Sequence, residues 1–155
     1  MSHISKKIFY EDIRYALFQM YPNAYLATWN AAEEWGLVSE TALDFRLFSP
    51  SFQQDEIKTV FGISLILKKI PSSFMYGTVV LKSQTGEFAV SDIHKTIIDS
   101  LLFPNLAGDS ENITEMMESY FQNRLCDEKK LLQYAKKSGV PSIISTILQF
   151  KKDLM

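Results

Sequence analysis

The spacing of apolar residues changes period several times along the chain, and each change marks an element. From Ile8 to Met20, the apolar positions Ile13, Ala16, Leu17 and Met20, with Phe9 one turn earlier, follow helical spacing. Tyr21-Pro22 ends that helix, because a residue before proline is steered out of the α region. Ala24 to Gly36 predicts a second helix, capped by Thr28 or Asn30 and closed by Gly36 in a left-handed conformation. The period then falls to two. Leu43, Phe45 and Leu47 alternate with Asp44, Arg46 and Phe48, and Pro50 to Glu56 forms a polar loop. A second alternating run puts Phe61, Ile63, Leu65 and Leu67 on one face. Met75 to Leu81 predicts a third strand, Lys82 to Gly86 a hairpin loop, and Phe88 to Val90 a fourth strand.

That fourth strand runs into the most regular helix of the chain. Ser91 or Asp92 caps it, Ile93, Ile97, Ile98, Leu101 and Leu102 share one face, and Pro104-Asn105 stops it. Asn112 with Glu115 approximates a capping box for a helix carrying Ile113, Met116, Met117, Tyr120, Phe121 and Leu125. Asp127 caps the next, which carries Leu131, Leu132 and Ala135 and closes at Ser138-Gly139. Pro141 suits the first turn of a last helix with Ile143, Ile144, Ile147 and Leu148 on its apolar face. The expected fold is α+β: two N-terminal helices, a roughly four-stranded sheet, then a C-terminal group of about four helices. With no repeat, low-complexity tract or linker to divide it, residues 1–155 are expected to form one domain.

Composition narrows the function classes. A hydrophobic fraction of 46% argues for a packed core, and a net charge of −2 supplies no global field toward nucleic acid or membrane. The single cysteine, Cys126, excludes an internal disulfide framework and a thiolate metal cluster. Met1 to Tyr10 lacks the apolar core of a secretory leader, and no apolar run reaches the ~20 residues of a membrane span, so a cytoplasmic setting is expected.

Chemistry-bearing residues are few. Lys95 and Asp99 stand at i, i+4 on the shoulder of the central helix, the spacing of a solvated intrahelical ion pair. His94 points to the apolar side of the same helix and reads as a hydrogen-bonded, partly buried side chain, since His3 is the only other histidine. Trp29 and Trp35 lie six positions apart on different faces of the second helix, so at least one is a candidate interface anchor. Lys129, Lys130, Lys136 and Lys137, with Lys151 and Lys152, make the C-terminal third locally basic. This patch is a solvated helix face, or a contact for nucleic acid or an acidic protein, and it has no aromatic interleaving along the sequence. Asp44-Phe-Arg46 and Glu56-Ile-Lys58 faintly echo a metal-dependent nuclease but lack a third acid. No phosphate loop, nucleophile elbow or His-Glu-x-x-His helix occurs, and neither a cofactor nor a metal is expected.

Two segments carry a family resemblance. Tyr21-Pro-Asn-Ala-Tyr-Leu-Ala-Thr-Trp-Asn-Ala-Ala-Glu-Glu-Trp-Gly-Leu37 resembles the opening of the antitoxin domain of the AbiEi abortive-infection family. Ser91-Asp-Ile-His-Lys-Thr-Ile-Ile-Asp99 resembles that family's second signature, approximately Ala-Ser-Pro-Glu-Arg-Thr-Leu-Leu-Asp, and Ala135 to Gly139 matches its Ala-x-x-x-Gly motif. The chain departs from the family at Asn30, Ile93, His94 and Lys95. The resemblance implies the antitoxin half of a type IV toxin–antitoxin pair, a bacterial phage-defence system in which a nucleotidyltransferase-like toxin is neutralised without enzymatic turnover. It also turns Lys95 and Asp99 into candidates for a structural lock or partner contact. The family represses its own operon through an N-terminal winged helix, but only 20 residues precede Tyr21 here. The expectation is therefore the antitoxin-type domain alone. The alternatives are a DNA-associated regulator that borrows a winged helix from another chain, and a small nuclease-like protein.

Overall fold

The computed structural model describes residues 13–154; the expected helix start from Ile8, with Phe9, lies outside them. Helix α1 occupies 13–20 among the described residues, and the turn at Tyr21-Pro22 follows it. The chain continues through β1 (Tyr25–Leu26), α2 (Thr28–Glu34), β2 (Phe45–Ser49), β3 (Glu56–Val60), β4 (Ile63–Lys69), β5 (Thr78–Lys82) and β6 (Glu87–Ser91). Helices α3 (Ile93–Leu102), α4 (Ser110–Gln122), α5 (Glu128–Lys137) and α6 (Pro141–Asp153) complete it, with 3-10 turns at Ser72–Phe74 and Pro104–Leu106. The class is α+β.

The sheet has six strands rather than four, in the order β3-β4-β2-β1-β6-β5. It is mixed: β1 lies parallel to β6 and β2 parallel to β4, while the other neighbours are antiparallel. Two strands escape the sequence pattern. β1 is only Tyr25-Leu26, too short to show a period of two, and the alanines around it continue the apparent helix. Helix α2 accordingly starts at Thr28, four residues later than Ala24. β3 is an edge strand with four of its five residues exposed, so no buried apolar face marks it between the polar loop that ends at Glu56 and the run that starts at Phe61.

Phe61 also moves. Phe61 and Gly62, at φ 55° and 73°, form the two-residue turn between β3 and β4, and Phe61 is exposed rather than on the strand face. Successive positive φ values match the right-handed twist of the flanking strands, the reason such turns are favoured in tight hairpins.

Side chains alternate across the central strands as the pleat requires. Leu26, Leu47, Leu65, Leu67, Phe88 and Val90 lie on one sheet face and pack with Ile13 and Leu17 of α1. Tyr25, Phe48 and Ile70 form a smaller cluster with Phe74, Ala89 and Phe103 on the other. Helix α3 is enclosed: every residue from Ile93 to Ser100 is buried. Its isoleucines pack with Met116, Met117 and Tyr120 of α4, Leu131 and Ala135 of α5, and Ile143 and Ile147 of α6. Trp35 touches both this helical core and the α1 side of the sheet. Among the described residues no helix is long and apolar enough to cross a membrane.

The caps show where local rules hold. Asp92 and Asp127 accept backbone hydrogen bonds from Lys95 and Lys130, as expected for N-caps. The cap of α4 is Asp109, bonded to the Asn112 N–H, rather than an Asn112–Glu115 box; Glu115 instead accepts from Ser39. Neither Thr28 nor Asn30 caps α2. Thr28 donates to the Leu106 carbonyl, and the Asn30 amide ties down the Asp44 carbonyl and the Arg46 N–H beside β2.

Candidate functional site

The centre of interest is the side of α3 that faces the sheet. A helix laid on a sheet ordinarily buries apolar residues there, but α3 turns its isoleucines to the helical layer and points Lys95 and Asp99 at β1. Their side chains are 1% and 0% exposed, and Lys95 Nζ lies 2.6 Å from Asp99 Oδ1. The expected solvated pair is therefore an interior one. Tyr25 closes a triangle with them: its hydroxyl donates to Asp99 Oδ2 at 2.8 Å and accepts from Lys95 Nζ at 3.2 Å. Both carboxylate oxygens and the phenol are thereby satisfied, the condition under which buried charge is tolerated. The ammonium also lies 4.7 Å from the Tyr76 ring centroid, with Tyr25 and Phe74 farther out. Ring quadrupoles thus replace part of its lost hydration.

A second ring of contacts holds the triangle in place. Asp92 accepts from the Lys95 N–H and from the Tyr134 hydroxyl at 2.8 Å, so one carboxylate ties the α3 terminus to α5. Tyr76 donates to the Tyr134 carbonyl. Between these groups lies Gly77 at φ +67°, where a Cβ would stand 2.8 Å from the Tyr134 ring and 2.9 Å from Lys95 Cβ. Only glycine combines that backbone with that approach. On the neighbouring side His94 Nδ1 sits 2.7 Å from the Tyr120 hydroxyl, which also bonds the Asp127 backbone.

Burial sets the protonation behaviour. It raises the Asp99 carboxyl above its ordinary range, with Lys95 and the Tyr25 hydrogen bond opposing the rise. It raises Tyr25 strongly, with Asp99 adding to the effect, and pushes Tyr76 up to about 12, with Asp99 and Asp92 contributing. Desolvation lowers His94, against a smaller upward pull from Asp92. The arrangement therefore joins elements with charge kept from solvent. Lys95, Asp99 and Tyr25 are buried, whereas Tyr76, Asp92 and Tyr134 around them are half-buried.

Of the other candidates, Trp35 is half-buried and donates through Nε1 to the Ser91 carbonyl at 2.8 Å. Trp29 is half-buried as well, donating to the Glu40 carbonyl beneath the Arg46 guanidinium. Lys129, Lys130, Lys136 and Lys137 are exposed on α5, and none forms an ion pair among the described residues. Lys151 instead pairs with Glu128 at 2.7 Å. Aromatic residues do stand among these lysines, contrary to the expectation: Tyr134 lies between Lys130 and Lys136 in the chain with Lys130 over its ring, and the fold brings Tyr76 beneath Lys137.

The nuclease-like residues do not converge. Asp44 pairs with Arg46 at 2.6 Å beside β2, whereas Glu56 and Lys58 lie on β3, with β4 in between. Two strand spacings, about 10 Å, separate those strands. Among the described residues there is no group of three or more His, Cys, Asp and Glu side chains able to hold a metal ion.

The sequence singled out Lys95 and Asp99 but not Tyr25, Tyr76 or Tyr134 as their partners. Tyr25 has a signal, because it lies inside the first resemblance segment; Tyr76 and Tyr134 have none. No protein-family model matches the chain, and no curated protein is significantly similar to it.

Proposed function

We propose that this chain is a non-enzymatic binding protein of the antitoxin type, neutralising a nucleotidyltransferase-like toxin by covering part of its surface. One observation supports the reading. The two segments that resemble the AbiEi signatures, more than fifty residues apart, meet as a single unit: Tyr25 bonds Asp99 and Lys95, and Trp35 bonds the Ser91 carbonyl. Residues that pair across the core explain why two such segments would belong together, which a chance likeness at either one would not. In this reading Lys95, Asp99 and Tyr25 act as a lock that preforms the binding surface, and the partner meets exposed groups elsewhere.

The test is co-expression with a nucleotidyltransferase-like protein encoded beside this chain, scored by growth rescue and co-purification. Rescue by the wild type, retained by surface variants that leave the lock intact, is the expected result. Absence of both rescue and complex formation overturns the reading.

A second reading, a DNA-associated regulator, is favoured by the α5 lysines stacked over Tyr76 and Tyr134. Nucleic-acid binding that weakens with salt and is lost in Lys130→Glu/Lys137→Glu supports it. Salt-insensitive or absent binding removes it.

A further inference from the structure

We propose that two copies of this chain associate through their β3 edges, in antiparallel register about a two-fold axis at Ile57, to form one continuous sheet. This goes beyond the antitoxin reading and does not depend on it.

The register follows from the hairpin. Val60 and Ile63 flank the two-residue turn and form a hydrogen-bonded pair. Alternation along an antiparallel ladder then turns the N–H and C=O groups of Lys58 and Glu56 toward β4 and those of Thr59 and Ile57 outward. β3 ends the sheet, and no strand pairs with that outer edge among the described residues. Ile57 is 76% exposed on it. An open edge carrying a large aliphatic residue is a template for another strand.

Charge selects the occupant. With Ile57 opposite Ile57 of the second copy, the outward groups of both residues exchange hydrogen bonds. Glu56 of each copy then stands opposite Lys58 of the other. Both cross-strand charge pairs are favourable, and the interface is self-complementary, as two-fold symmetry requires. Moving the axis one residue to Lys58 would oppose two lysines. The Ile57 side chains project on the face where Ile66, Leu102, Phe103 and Pro104 line an open, largely apolar cleft of about 530 Å³. The pair of isoleucines would bridge the two clefts.

The experiment combines sedimentation over a concentration series with site-directed cross-linking. The wild type is expected to shift from 17.8 kDa toward twice that mass as concentration rises. Glu56→Lys is expected to weaken association about tenfold, since two attractive pairs become repulsive. Lys58→Glu should act alike, and Glu56→Lys/Lys58→Glu should restore dimerisation by exchanging the charges. In a Cys126→Ser background, Ile57→Cys should form an intermolecular disulfide, its Cα atoms being ~5.5 Å apart. Thr59→Cys should not, because four residues of register separate its two copies. A mass of 17.8 kDa at every concentration overturns the proposal, as does a dimer indifferent to these substitutions.

Discussion

Two charge pairs separated by short spacings, Lys95–Asp99 and Glu56–Lys58, look equivalent on paper and behave in opposite ways. The first lies inside α3 at 2.6 Å, with one carboxylate oxygen bonded to Lys95 and the other to the Tyr25 hydroxyl of β1. The second lies on the edge strand at 3.9 Å, with both side chains more than 40% exposed. Water already solvates the outer charges, so their mutual attraction adds little. Water is denied to the inner charges, so each depends on the other. An ion pair's importance thus depends on what surrounds it more than on its spacing.

That contrast can be broken in order of effect. Lys95→Ala or Asp99→Ala should each cost about 3–5 kcal/mol, because either leaves an uncompensated charge in the interior. Lys95→Ala/Asp99→Ala should cost far less than the sum of the two single losses, measured by urea unfolding in a double-mutant cycle. Additive losses would show that the two charges act independently. Tyr25→Phe removes one donor to Asp99 and one acceptor for Lys95 and should cost about 2 kcal/mol. An unchanged unfolding midpoint would separate Tyr25 from the lock.

The pH dependence should be smaller but sharply placed. Burial holds His94 below its ordinary 6.5, so the unfolded chain takes up that proton first as pH falls. Its contribution to stability is complete above about 6.5 and is lost as pH drops toward the folded value. Thermal unfolding should show this slope, and His94→Gln should flatten it. At the alkaline end Tyr76 holds its proton to about 12, above the ordinary 10.0. Stability should therefore fall as pH rises through that window, with a late-titrating fraction in the tyrosinate absorbance. Least of all, Lys58→Ala should change the stability of the dilute monomer by under about 0.5 kcal/mol. A larger loss would mean that the exposed pair matters to the monomer fold.

Much of the helical architecture was legible because it rests on local rules. The apolar stripe of Ile93, Ile97 and Ile98, the caps at Asp92 and Asp127 and the stop at Pro104 act within a few residues of chain. β4, with Leu65 and Leu67 buried on one face, was visible for the same reason, and so was β2, although all five of its residues are buried. β1 and β3 were not: one is two residues long, and the other is a strand only because β4 pairs with it.

The α+β class, the bounds of α3, α5 and α6 and the residues that fill the helical core were legible in the amino-acid sequence, since period and capping are short-range properties. Tertiary structure alone decided that Lys95 and Asp99 face inward. Both sides of α3 are covered, one by β1 and the other by α4, α5 and α6, and no local pattern records which neighbour will cover a charge. It likewise decided that Tyr25, Tyr76 and Tyr134 gather around that charge, because each arrives from a different element. Hydrogen bonds and ring contacts between residues distant in the chain have no periodicity to betray them; they exist only once the sheet and helices have packed.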